Sequence, residues 1–226
     1  MRLGRGRSEQ PDPNDDPANE TVTSEVGWAR ADADLRYWIP CPVGFPDGMD
    51  LESWAAEMAA AWWELSGQPN DDDVVGQLAT MLRAIHEQGY KLVSCHEIWI
   101  YLPGPGAAPL PLFIGIWKQG GERDRRLRLL TGADDRTGAR KPQVAEVSTK
   151  YLGTGLRVLR QLAKDKGQLR ALLSYAFRVE EHETDLQVAT TTTDLRALTT
   201  ASDDIERFIQ GITVYRNTDE RRVAEP

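Results

Sequence analysis

The sequence predicts an α+β domain on an antiparallel sheet of about five or six strands, with two helices before the sheet and one closing it. Three observations carry this reading. Residues 169–193 read as two strands joined by a short polar turn. Residues 50–89 read as two amphipathic helices. A third apolar helical stripe follows the strands, around Ile205 and Phe208.

Residues 1–26 are rich in Pro, Asp, Asn, Glu and Gly, with almost no large apolar side chains. Such a segment cannot bury enough surface to offset the entropy of ordering, so a disordered leader is expected. Residues 27–215 are expected to form one α+β domain, and 216–226 a flexible charged tail. From Trp28 to Val43, the prolines at 40 and 42 prevent a long regular element, which leaves a short edge strand and a packed turn.

Asp50 is positioned to cap a helix that runs to Ser66, with Gly67 as its stop. Leu51, Trp54, Ala55, Met58, Trp62 and Leu65 share one face. Trp63 lies off that stripe, which leaves it to fill a neighbouring groove or to stand exposed as a contact residue. Aspartates within 68–73 cap the next helix. Its apolar set, Val74, Val75, Leu78, Met81, Leu82 and Ile85, follows the 3.6-residue period, and Gly89 is read as its end.

Lys91–Leu102 alternates as a strand, and Leu110–Lys118 forms a hairpin with it across a Pro/Gly turn. Residues 120–141 are polar and basic, with Arg123, Arg125, Arg126 and Arg128 inside a short helix or surface excursion. Residues 144–164 resume strand character, and Gly153 and Gly155 are read as a bulge or bend. From Leu169 the odd positions are apolar through Val179 and the even ones mixed, as in a strand with one face on a core. The run from Leu186 to Thr193 supplies its antiparallel partner. Ser202, followed by two aspartates, is read as the cap of a last helix whose stripe is Ile205, Phe208, Ile209 and Ile212.

Composition limits the function. A net charge of −8 and a pI near 5.0 argue against general nucleic-acid or acidic-membrane binding. The basic 123–141 segment has no aromatic residue for base stacking, and acids dilute it. No apolar run is long enough to span a bilayer. The N-terminal arginines are not followed by an apolar stretch, so no secretion signal is read and a cytoplasmic location is expected.

No cofactor, metal or catalytic set is expected. The sequence Cys95-His96-Glu97 suggests catalysis, but on a strand His96 faces away from the other two. The two cysteines and three histidines fall at no ligand spacing. GPG at 104–106 and GTG at 153–155 lack the remainder of any phosphate-binding motif.

The element order, two helices, a meander of long strands and a closing DDIERFIQGI helix, resembles the Mog1/PsbP-like α/β sandwich. The stretches WIPCPVGFPDG and YLGTGLRVLR are similar to actinobacterial proteins of the Streptomyces type. The resemblance implies a non-catalytic binding or assembly role and brings no active-site residues. The leading expectation is therefore a protein-interaction or accessory domain, with Trp63, Arg123, Arg125, Arg126 and Arg128 as contact residues for a protein partner. The alternative is a small-molecule-binding or hydrolytic domain, with Cys95, Glu97, Trp99 and Tyr101 lining a pocket on the open face of the sheet.

Overall fold

The alternation read from Leu169 onward is the central hairpin of the structure. A computed structural model describes residues 28–42, 44–45, 48–92, 95–163 and 168–215. The leader and the charged tail expected at the two ends lie outside them. In chain order the elements are β1 (Trp28–Ala31), β2 (Trp38–Cys41), α1 (Leu51–Leu65), α2 (Asp72–Leu92), β3 (Glu97–Tyr101), β4 (Leu110–Lys118) and α3 (Arg123–Thr131). They continue as β5 (Gln143–Thr149), β6 (Gly153–Ala163), β7 (Leu169–Val179), β8 (Thr184–Thr192), α4 (Leu195–Gln210) and β9 (Ile212–Tyr215).

The protein is α+β. Seven antiparallel strands form one sheet in the order β2-β3-β4-β8-β7-β6-β5, and β1 pairs separately with β9. The strand count exceeds the expected five or six. Pro40 lies on the edge strand β2, where a missing backbone donor interrupts no inner ladder.

Register assigns every side chain to a face. One row runs Glu97, Ile114, Val188, Tyr175, Arg157, Ala145, and the next Trp99, Leu112, Thr190, Leu173, Leu159, Gln143. This face carries α4. Leu198, Ala201, Ile205, Phe208 and Ile209 of the helix are buried against it. α4 reaches both ends of the sheet. Asp204 accepts from the Tyr101 hydroxyl on β3, while Glu206 pairs with Arg157 on β6 and the Gln210 amide donates to the Ser148 carbonyl on β5. The sheet therefore curls around its closing helix.

The opposite face is covered by α1 and α2 over β2, β3 and β4, and by α3 near β6, β7 and β8. Trp54, Ala55, Ala59 and Trp62 of α1 and Leu82 of α2 bury Ile39, Ile98, Ile100 and Leu102.

Several elements depart from the expectation. The cap at Asp50 is in place and accepts from Ser53 N at 2.8 Å. α2, however, runs through Gly89 to Leu92, so the strand begins later than Lys91. Gly89 is a contact point rather than a stop, because a Cβ there would stand 2.5 Å from Ile98 Cδ1. Residues 144–164 are two strands, not one bent strand. They are joined by a turn at 150–152, with Gly153 in the left-handed region at φ +71°. Gly155 is a packing site, since a Cβ would lie 2.3 Å from the Ala176 carbonyl and against the Phe177 ring.

α4 starts at Leu195 rather than near Ser202. Its cap is Asp194, which accepts from Arg196 N and Ala197 N at 3.0 and 2.9 Å. Ile212 belongs to β9, not to the helical stripe.

Candidate interaction surface

α3 is a nine-residue helix that its termini hold in place. Glu122 caps it, accepting from Asp124 N and Arg125 N at 2.9 and 2.8 Å. Those bonds, first the one from Arg125, hold the Glu122 carboxyl below the usual carboxylate range. Gly132, at φ +66°, closes the C-terminus, and Ala133 N returns to the Arg128 carbonyl at 3.0 Å. On the inner side Leu127 and Thr131 are buried, and the Gln187 amide donates to the Leu130 carbonyl.

The four arginines read from the sequence as one basic group have different roles. Arg126 turns inward and reaches Asp185 at 3.3 Å. Arg123 pairs with Asp124 at 2.8 Å and donates to the Thr154 carbonyl. Arg128 grips Asp134 with both nitrogens of its edge. Arg125 is exposed and makes no ion pair among the described residues. One helical turn further on, Leu129 is 70% exposed. Arg125 and Leu129 therefore share the outer stripe of α3. Sequence reading did not single out Leu129, although its (i, i+4) spacing from Arg125, opposite Leu127 and Thr131, was the available signal.

Trp63 lies on a different helix from the arginines. Its ring is half-buried beside Trp62, and its Nε1 donates to the Pro69 carbonyl at 2.8 Å. It covers the connection from α1 to α2. α1 and α3 sit on the same face of the sheet, over different strands.

The structure divides the alternative set between two sides. Cys95 precedes β3 and packs with the α1/α2 cluster. Glu97, Trp99 and Tyr101 project from the opposite face, where Trp99 and Tyr101 belong to the core beneath α4. That face is thus covered where the alternative pocket required it to be open. Burial raises the Cys95 thiol to about 11, so it is protonated near neutral pH. His96 accepts from Ile116 N at 2.9 Å through Nδ1 and meets the Trp117 ring edge-on.

Glu97, on the α4 face of β3, is a half-buried carboxyl. Its carboxylate receives the Trp99 indole N–H at 3.3 Å and has no ion-pair partner among the described residues. Burial holds its pKa above the ordinary range, and the hydrogen bonds from Trp99 and from the Ala29 backbone offset only part of this. A carboxyl with a raised folded pKa binds more protons in the native state, so stability falls as pH rises from the ordinary carboxylate pKa through the raised one. Glu97→Gln should therefore raise the thermal midpoint at pH 7.5 and lose that advantage toward pH 4. Paired melts at the two pH values test this, and an equal effect at both would refute the assignment.

No family model matches the chain, and no curated protein matches it. Among solved structures it is similar to LpqN of Mycobacterium tuberculosis, a protein involved in cell envelope biogenesis. That similarity has a TM-score of 0.45 and 10% identity over 85% of this chain and 87% of that one. It is also similar to the Saccharomyces cerevisiae Ran-binding protein Mog1p, with a TM-score of 0.36 and 10% identity over 54% of this chain and 80% of that one. At these values neither likeness bears on what this chain does. Among the described residues, no helix is long and apolar enough to cross a membrane.

Proposed function

We propose that this chain is a non-catalytic accessory domain that docks a protein partner through the outer stripe of α3. The observation that carries the reading is exposed Leu129 beside Arg125, which makes no ion pair among the described residues, on a helix that is capped at both ends and anchored beneath. An apolar side chain beside a free guanidinium, presented on a fixed backbone, suits a partner surface that combines an apolar pocket with a carboxylate. Arg123 and Arg128 flank the stripe and are already engaged by Asp124 and Asp134, so they serve as its rim. Trp63 lies outside this stripe and is assigned to packing over the α1–α2 connection.

The test is affinity capture from native host lysate with the full-length chain, compared with Arg125→Glu and Leu129→Asp. A stoichiometric partner retained by the parent chain and lost by both variants, with unchanged thermal midpoints, is the expected result. Equal capture by parent and variants would move the site away from α3. Retention that depends on salt and is abolished by nuclease would replace the protein partner by a nucleic acid.

A further inference from the structure

The sheet has two edges, and they differ. β2 is short, carries Pro40 and is largely buried. β5 is seven residues long, with its first four residues exposed, and contains neither Pro nor Lys. Val144 on it is 42% exposed. Natural edge strands usually carry such residues as protection against pairing.

Two hydrogen bonds show which backbone groups of β5 point outward. On β6 the Gln161 carbonyl turns to the β5 side, where it accepts from Ala139 N at 2.7 Å. Backbone groups alternate along a strand, so the odd-numbered residues of β6 face β5. Their partners Gln143, Ala145, Val147 and Thr149 face inward in return. Val144, Glu146 and Ser148 therefore present their N–H and C=O groups outward. The Ser148 carbonyl agrees, because it is taken from outside by the Gln210 amide at 2.9 Å.

We propose that β5 pairs with β5 of a second copy of this chain, antiparallel about a two-fold axis at Ala145. Three features select this register. Pro142 has no N–H to offer at one end. Gln210 occupies the Ser148 carbonyl at the other. Between them, Glu146 cannot sit opposite itself without placing like charges face to face. A two-fold at Ala145 sets Val144 against Glu146 of the other copy, twice, and each pair exchanges two backbone hydrogen bonds. The small Ala145 side chains meet at the axis, and the two sheets become one, with α4 and its counterpart on the same side. This edge is separate from α3, so the pairing and the docking surface stand or fall independently.

Sedimentation of the full chain from about 1 μM to 1 mM should show a reversible monomer–dimer equilibrium. Val144→Pro removes only an outward donor, and its loss from both copies should weaken association about tenfold or more. Val144→Glu sets a like charge against Glu146 of the other copy, twice, and does the same without a backbone change. The register has its own readout. In a non-hydrogen-bonded antiparallel pair, Cα atoms lie about 4.5 Å apart, within disulfide reach. Ala145→Cys should thus cross-link to a covalent dimer when copper–phenanthroline and air withdraw the two electrons, whereas the parent chain, with Cys41 buried and Cys95 half-buried against the α1/α2 cluster, should not. A parent chain that is monomeric throughout, or variants at Val144 that both dimerise as the parent does, would overturn the proposal.

Discussion

Replacing Asp185 by alanine should lower stability by about 3–5 kcal/mol, the largest loss expected from a polar substitution in this chain. Asp185 and Arg178 face each other across the β7–β8 ladder, with side chains 0% and 3% exposed. The guanidinium grips the carboxylate with Nε at 2.7 Å and Nη2 at 3.1 Å. It also donates to the carbonyls of Gly121 and Gly120 at 3.0 and 2.7 Å. The carboxylate receives Gly120 N and Arg126 Nε, each at 3.3 Å. Removing the carboxylate strands a buried cation in low dielectric, and that penalty, rather than the lost attraction, dominates. For a domain of this size the midpoint should fall by about 6–20 °C.

The same network holds the start of α3. Gly120 and Gly121 immediately precede the Glu122 cap, so Arg178 and Asp185 connect the central hairpin to the helix that presents Arg125 and Leu129. Arg178→Met with Asp185→Leu is the informative control. An apolar pair of similar volume removes the stranded charge and should recover part of the loss. Recovery should be incomplete, because the two glycine carbonyls lose their donors. Full recovery in chemical denaturation would show that those carbonyl contacts add nothing.

The helical pair and the central hairpin were legible in the sequence because each repeats one period over many residues. The Asp50 cap and the β7 alternation are local signals that tertiary structure leaves intact. Errors arose where one residue type serves two physical purposes. Gly89 reads as a helix stop but is needed for the approach of Ile98. Ser202 and its aspartates read as a cap, yet they lie inside α4, where Asp204 serves Tyr101. The true cap, Asp194, follows a β-branched run and looks like the end of a strand. β1 and β9 have four residues each, too few for a period. The α3 arginines were visible as a group, but which of them are consumed by Asp124, Asp134 and Asp185 depends on contacts up to 59 residues apart. Their division into anchor, rim and free stripe could not be read from spacing.

Phe208→Ala should cost about 3–5 kcal/mol, and its effect should be coupled to Trp38. Phe208 is fully buried on α4. Its ring stacks on Trp38 of β2 with centroids 4.3 Å apart and 30° between planes, and meets Trp99 of β3 nearly edge-on at 5.4 Å. Tyr101 completes the group, 4.9 Å from Trp38. These rings join the closing helix to the β2 end of the sheet, while Glu206 and Gln210 join it to the β6 and β5 end. Truncation leaves a cavity between rigid aromatic walls that cannot collapse onto it, which places the cost toward the upper part of the range. Because Trp38 and Phe208 share one contact, the double variant with Trp38→Ala should lose less than the two single losses combined, by about 0.5–1.5 kcal/mol. Exact additivity in denaturant unfolding would mean the stacked pair contributes only its separate burial. Coupling would instead identify this aromatic junction as the point where helix and sheet edge fold together. It would also predict that Phe208→Ala loosens β2 while leaving α3 and its outer stripe intact, a distinction that hydrogen exchange along β2 and α3 would resolve.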